Sequence, residues 1–165
     1  GEDCSGLDPY LQDLAPGLAL LQQRHLTYPV LHYFHSSNPV PAAALRIAAL
    51  DDALTILACG MPDHCGMQTS GFRVARQAVT QVLDTLDTAF IEPADAPPPP
   101  PTLEPLRARG LPVVPEAQFR EAVEGLAHRR CLLRAFVEEE GWRWKQIAPA
   151  TDVHDPLTPL GERYR

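Results

Sequence analysis

The sequence predicts an all-α fold: an antiparallel bundle of about four to five amphipathic helices with a proline-rich tether and an irregular C-terminal tail. Three observations lead there. Leu (22) and Ala (21) far outnumber Val (10) and Ile (4), and β-branched residues are the ones that favour strands. Apolar residues recur every three or four positions in several stretches, as one face of a helix requires. The chain has 165 residues, 45% of them hydrophobic. That is enough to bury roughly 70% of its unfolded surface around one core.

In chain order, Asp8-Pro9 reads as a helix start, with Asp as N-cap and Pro at the first helical position. Leu11, Leu14, Leu18, Leu21 and His25 continue its apolar face, and Pro16-Gly17 imposes a kink or two short helices. Tyr28-Pro29 ends the segment. Val30 to His35 is too short to classify by period, and Ser36 to Pro39 is a turn leading to Pro41 in the first turn of a helix. A second helix covers Ala42 to Ala58, with the stripe Ile47, Leu50, Leu54, Leu57. Its Asp51 and Asp52 must face solvent or find a partner. Gly60 to Gly71 reads as a loop. Phe72, Ala75, Val79, Val82, Leu86 and Phe90 form the clearest helical stripe in the chain.

Composition then shifts. Glu92 to Pro101, EPADAPPPPP, is a polyproline-type spacer with no core of its own. Thr102 caps a short helix to Arg109, and Gly110 ends it. Pro115-Glu116 opens one long helix through Phe119, Val123, Leu126, Leu133 and Val137, stopped by Gly141. Glu138, Glu139 and Glu140 oppose the macrodipole at its end, so fraying is expected there. The resulting organisation is a helical core over 1–91, a linker over 92–101, a helical segment over 102–145 that docks back, and an irregular or partly disordered tail over 146–165.

Charge and motifs exclude several functions. With 14 Lys and Arg against 21 Asp and Glu, the net charge is −7, a poor match to nucleic acid, whose phosphates need clustered cations. No apolar run is long enough to span a bilayer. The chain opens on Gly1 and has no secretory signal pattern, which points to a trimmed chain or a fragment of a longer one. Cys4, Cys59, Cys65 and Cys131 include no C-x-x-C pair and read as free thiols of a reducing compartment. There is no phosphate-binding loop, no dinucleotide fingerprint and no nucleophile elbow. Catalytic residues, cofactors and metals are therefore not assigned, and no enzyme activity is expected.

Two clusters of ligating residue types carry the alternative reading, a free-standing helical metal-binding protein or small enzyme. One is His25, His32 and His35, with no carboxylate between them. The other is Cys59, Asp63, His64 and Cys65, whose spacing matches no zinc module. Arg129, Arg130, Arg134, Arg143 and Lys145 form a basic cluster that, beside Glu138 to Glu140, reads as a salt-bridged surface; anionic lipid headgroups are its other conceivable contact. The P-x-x-P in Pro97 to Pro101 reads as a spacer rather than a ligand for a proline-recognition module.

Three segments in sequence carry a family resemblance: HLTYPVLHYFHS (His25–Ser36), ALRIAALDDALTIL (Ala44–Leu57) and FRVARQAVTQVLDTL (Phe72–Leu86). This order resembles the cytosolic C-terminal region of bacterial potassium-channel-type membrane proteins with a two-helix pore. The matching positions are His25, Tyr28, Pro29, Val30, Leu31, Phe34 and Ser36, then Leu50, Asp51, Ala53 and Leu54, then Ala75, Arg76, Ala78 and Val79. The later helix and the Trp142–Trp144 region are similar in kind to that family's final helix and Trp-bearing tail. The chain differs in its proline run, in Gln77 where His is expected, and in having no T-x-G-[YF]-G filter, so the resemblance assigns ion selectivity to no residue of this chain. The resemblance implies a regulatory or oligomerisation domain on the cytoplasmic face of the inner membrane. It would be attached to a transmembrane pore, homo-oligomeric through apolar helix faces, and without a nucleic-acid partner.

Overall fold

A computed structural model describes residues 8–13, 16–17, 43–62, 69–89 and 91–147. The fold is all-α, with no strand among the described residues. After a helical stretch at 8–13, the helices are α1 (Ala43–Thr55), α2 (Ser70–Ala89), α3 (Glu104–Ala108), α4 (Glu116–Glu124) and α5 (Ala127–Glu139), and Trp144–Gln146 add one 3₁₀ turn.

Helices α1, α2 and α5 pack on one another around the main core. Leu54, Val79, Leu86, Leu133, Phe136 and Val137 lie at its centre, each at most 1% exposed. The α2 stripe enters it as expected, with Phe72, Ala75, Val79, Val82 and Leu86 all buried. Ala44, where α1 begins, meets Glu140 beyond the end of α5, and Asp51 meets Arg129 near its start. These two helices therefore run antiparallel.

Four local features depart from the sequence expectation. The helix expected to end at Ala58 runs on: Ile56–Gly60 continue α1 as a π-helical turn, and the Gly60 carbonyl accepts the Val114 N–H at 3.0 Å. Its buried face also turns toward Ala44, Ile47, Ala48, Asp51, Leu54 and Thr55, leaving Leu50 and Leu57 half-buried. The long helix expected after Pro115 is two helices, broken at Gly125-Leu126, where the ladder shortens to a 2.9 Å bond from Leu126 N–H to the Val123 carbonyl. Gly is a weak helix former, and the break serves two cores. Phe119 and Val123 join Leu103 and Val114 in a second cluster roofed by Ile56 and Cys59, while Leu132 to Val137 face the main one.

The third departure concerns Asp8, whose carboxylate does more than start its own helix. Its Oδ1 accepts the Gly71 N–H at 2.6 Å and its Oδ2 accepts the Ser70 hydroxyl at 3.3 Å, so it caps α2 from 62 or more residues away. Bonds from Thr69, Gly71, Ser70 and Gln12 hold this carboxyl below its ordinary 3.8. The fourth concerns the acids ending α5, which do not simply repel the helix dipole. Glu138 accepts Arg134 Nε at 2.8 Å and Glu140 accepts the Ala44 N–H at the start of α1 at 3.2 Å. The helix ends in a Schellman turn, with Gly141 N–H on the Glu138 carbonyl and Trp142 N–H on that of Val137, both at 3.0 Å. Gly141 takes φ +82° there, and Gly110 closes α3 in the same way at φ +74°.

The proline run lies along α5. Proline has no N–H to give, so its segment offers only carbonyls. Arg130 Nη2 donates to Pro99 O at 2.8 Å and Arg134 Nη1 to Ala96 O at 3.3 Å, while Ala94 N–H reaches the Cys131 carbonyl at 3.2 Å.

A Cβ on Gly71 would lie 2.3 Å from the Asp8 carbonyl oxygen. Gly71→Ala is therefore expected to push residues 8–13 off α2 and to cost about 1–3 kcal/mol, as overpacking does. Urea unfolding should register the loss, together with faster amide exchange at 8–13.

Candidate functional site

The charged groups of the interior meet between α1, α2 and α5. Successive helix positions diverge by about 100°, so the neighbours Asp51 and Asp52 address different partners. Asp51 is fully buried. Its Oδ1 accepts Arg76 Nη1 of α2 at 2.8 Å, and Arg129 of α5 through Nε at 2.9 Å and Nη2 at 2.5 Å. Arg76 Nη1 also reaches Thr55 Oγ1 at 3.3 Å, and Arg129 Nη1 reaches Thr80 Oγ1 at 2.9 Å. Asp51 Oδ2 has no hydrogen-bond partner among the described residues.

Asp52 pairs with Arg130 at 2.5 Å. Arg130, 1% exposed, also holds the Pro99 carbonyl, and its guanidinium carbon stands 5.5 Å from the Trp144 ring centroid. One side chain thus connects α1, the proline strap and the C-terminal turn. Burial raises the Asp52 carboxyl above its ordinary 3.8, with Arg130 opposing, and burial lowers Arg76, with Asp51 opposing.

This placement corrects part of the reading of the basic cluster. Half-buried Arg129 and fully buried Arg130 are not a salt-bridged surface facing Glu138 to Glu140 but the partners of Asp51 and Asp52. Arg134 does pair with Glu138, four residues on. Arg143 and Lys145 are exposed and have no ion pair among the described residues.

Those two cations border an open groove of about 670 Å³. Pro98 and Pro99 form one wall, the end of α5 with Arg134 and Glu138 another, and Trp142 and Trp144 the apolar lining. Trp142 is 38% exposed, whereas Trp144 is held beneath Arg130.

The two ligating clusters lie mostly outside the described residues. His25, His32 and His35 fall there, as do Asp63, His64 and Cys65, and so do Cys4, Phe90, the turn at Tyr28-Pro29 and the tail from 148 onward. Cys59 is described; it is half-buried in the π-helical turn, and burial pushes its thiol up, which weakens it as a nucleophile. Among the described residues, no three His, Cys, Asp or Glu side chains gather as metal ligands.

The groove was not read from the sequence. Its only signal there was the alternation Trp142-Arg143-Trp144-Lys145, which says nothing of the proline wall brought beside it.

The chain is similar to one characterised only by type, the "Uncharacterized membrane protein YdjJ" of Bacillus subtilis (strain 168), at 31% identity over 144 residues. The match takes in 87% of this chain but 42% of the relative, so the chain spans less than half of that protein's length. No protein-family model and no solved structure matches it. No described helix is long and apolar enough to cross a membrane.

Asp51→Ala leaves Arg76 and Arg129 facing each other across an empty acceptor. The expected cost is about 3–5 kcal/mol, as for other broken buried pairs. Arg120→Ala, which removes an exposed pair with Glu116, should change stability by less than about 1 kcal/mol. Urea unfolding of both variants compares them.

Asp52 supplies a pH signature. Folding raises its pKa, so the folded chain holds the proton to higher pH than the unfolded chain does. Its contribution is therefore favourable in acid, and it falls away as pH climbs from 3.8 through the raised value. Asp52→Asn should flatten that part of the stability-against-pH curve.

Proposed function

We propose that this chain is a regulatory and oligomerisation domain on the cytoplasmic face of a bacterial ion-channel-type membrane protein, with no catalytic role of its own. The observation that carries the reading is the match with a membrane protein that extends over most of this chain and leaves more than half of the relative outside it. The three segments that, taken along the sequence, resemble the cytosolic region of two-helix potassium channels supply the channel half of the proposal.

The physical properties suit such a part. A core whose helices are tied by buried charge pairs suits a domain that passes a displacement to a pore. A ligand or partner acting through it would shift gating only by binding one state better than the other. The long apolar stripe of α2 is covered within the fold. Contacts between copies therefore fall to other surfaces, among which Tyr10 at 72% and Val74 at 45% exposure are the large apolar residues on offer besides Trp142.

The reading predicts a discrete homo-oligomer by light scattering, weakened by Tyr10→Glu or Val74→Glu. It also predicts that the full-length gene encodes two apolar spans around a T-x-G-[YF]-G filter. A strict monomer at high concentration contradicts assembly, and a gene without such a filter contradicts the channel.

A further inference from the structure

We infer that the groove between the proline strap and the Trp142–Lys145 turn docks on the headgroups of an anionic membrane surface. The inference rests on the reading that the chain works beside a membrane, and it adds which face meets the lipid.

Three observations carry it. The groove concentrates cations on a chain whose net charge is −7: Arg134 is neutralised by Glu138, but Arg143 and Lys145 are exposed and unpaired among the described residues. Indole and cation alternate along Trp142-Arg143-Trp144-Lys145, and Trp142 stands 38% exposed beside them. Indoles settle at headgroup depth, and Lys and Arg bind the phosphates just outside it. The geometry is also fixed before any ligand arrives. The Gly141 Schellman turn sets the direction of the segment, Arg143 N–H closes the 3₁₀ turn on Gln146 Oε1 at 2.7 Å, and Arg130 holds Trp144.

A peptide is the weaker occupant. The wall that would have to hold it is Pro98 and Pro99. Proline has no N–H with which to pair an added strand, and the Pro99 carbonyl is already taken by Arg130.

Trp142 and Trp144 are the only tryptophans of the chain, so tryptophan emission, excited where tyrosine does not absorb, reports this groove alone. The test is co-sedimentation of the full chain with vesicles of phosphatidylcholine, and of phosphatidylcholine mixed with phosphatidylglycerol, at low and high salt, with emission recorded in parallel. The chain should partition onto the mixed vesicles only, with a blue shift, and high salt should release it. Arg143→Ala with Lys145→Ala should lower the partition roughly twenty-five-fold, at about fivefold per cation. Trp142→Ala, a second variant at an exposed position, should weaken binding while leaving the helical circular-dichroism signal intact.

Several results would overturn the inference: no partition onto mixed vesicles, equal partition onto neutral ones, binding without a blue shift, or full binding by the double variant. The same emission change with free glycerol phosphate and no vesicles would also overturn it, by making the groove a site for a soluble anion. Failure here leaves the light-scattering result untouched, and a monomer that still binds the vesicles contradicts assembly alone.

Discussion

Two consecutive acids on one helix meet two consecutive arginines on another, and most of the molecule is arranged around that meeting. Asp51 and Asp52 of α1 point apart, and Arg129 and Arg130 of α5 reach them on two sides. Burying a carboxylate as fully as Asp51 is tolerable only with a partner. Two guanidiniums and two threonine hydroxyls provide the surroundings, drawn from α1, α2 and α5. Such a network need not stabilise more than an apolar core of the same volume would. It does discriminate between arrangements: sliding α1 along α5 by one residue would strand a charge in the interior, whereas sliding an apolar face would only shift contacts.

The second pair extends the same constraint outward. Arg130 spends one nitrogen on Asp52, another on the Pro99 carbonyl, and sets its face near Trp144. A polyproline segment cannot hold itself down, having lost its own donors. Here α5 supplies them, and the strap becomes a wall. The groove is thus a consequence of the buried charge register, although none of its exposed cations belongs to that register.

Much of the fold was legible in the sequence because it depends on local rules. The α2 stripe from Phe72 to Leu86 is a period-3.6 pattern, and the stops at Gly110 and Gly141 follow from the left-handed conformation that a Schellman turn demands. What was not legible depends on distant partners. Nothing local distinguishes Asp51 on a buried face from Asp51 on a solvated one; the distinction lies in Arg76 and Arg129, 25 and 78 residues away. Asp8 has the same character, reading as a cap for its own helix while reaching across to cap α2. The break at Gly125 was hidden because the apolar period runs through it unchanged, and only the second core shows why Phe119 and Val123 turn aside. The groove was the least visible feature, since its proline wall and its α5 wall come from segments far apart in sequence, Pro98 and Pro99 on one side and Arg134 and Glu138 on the other. The functional reading rests less on chemistry than on likeness, because the ligating clusters that argued for an enzyme or a metal protein fall largely outside the described residues.

Through the Asp52–Arg130 contact, α1 is joined to the strap and to the tryptophan turn. A double-mutant cycle with Asp52→Asn and Arg130→Met, read by unfolding free energy and by tryptophan emission, tests this link most directly. A coupling of at least about 1 kcal/mol is expected, as for residues in one network, with emission altered by Asp52→Asn although that residue lies on α1 and not in the groove. Additive energies with unchanged emission would contradict it.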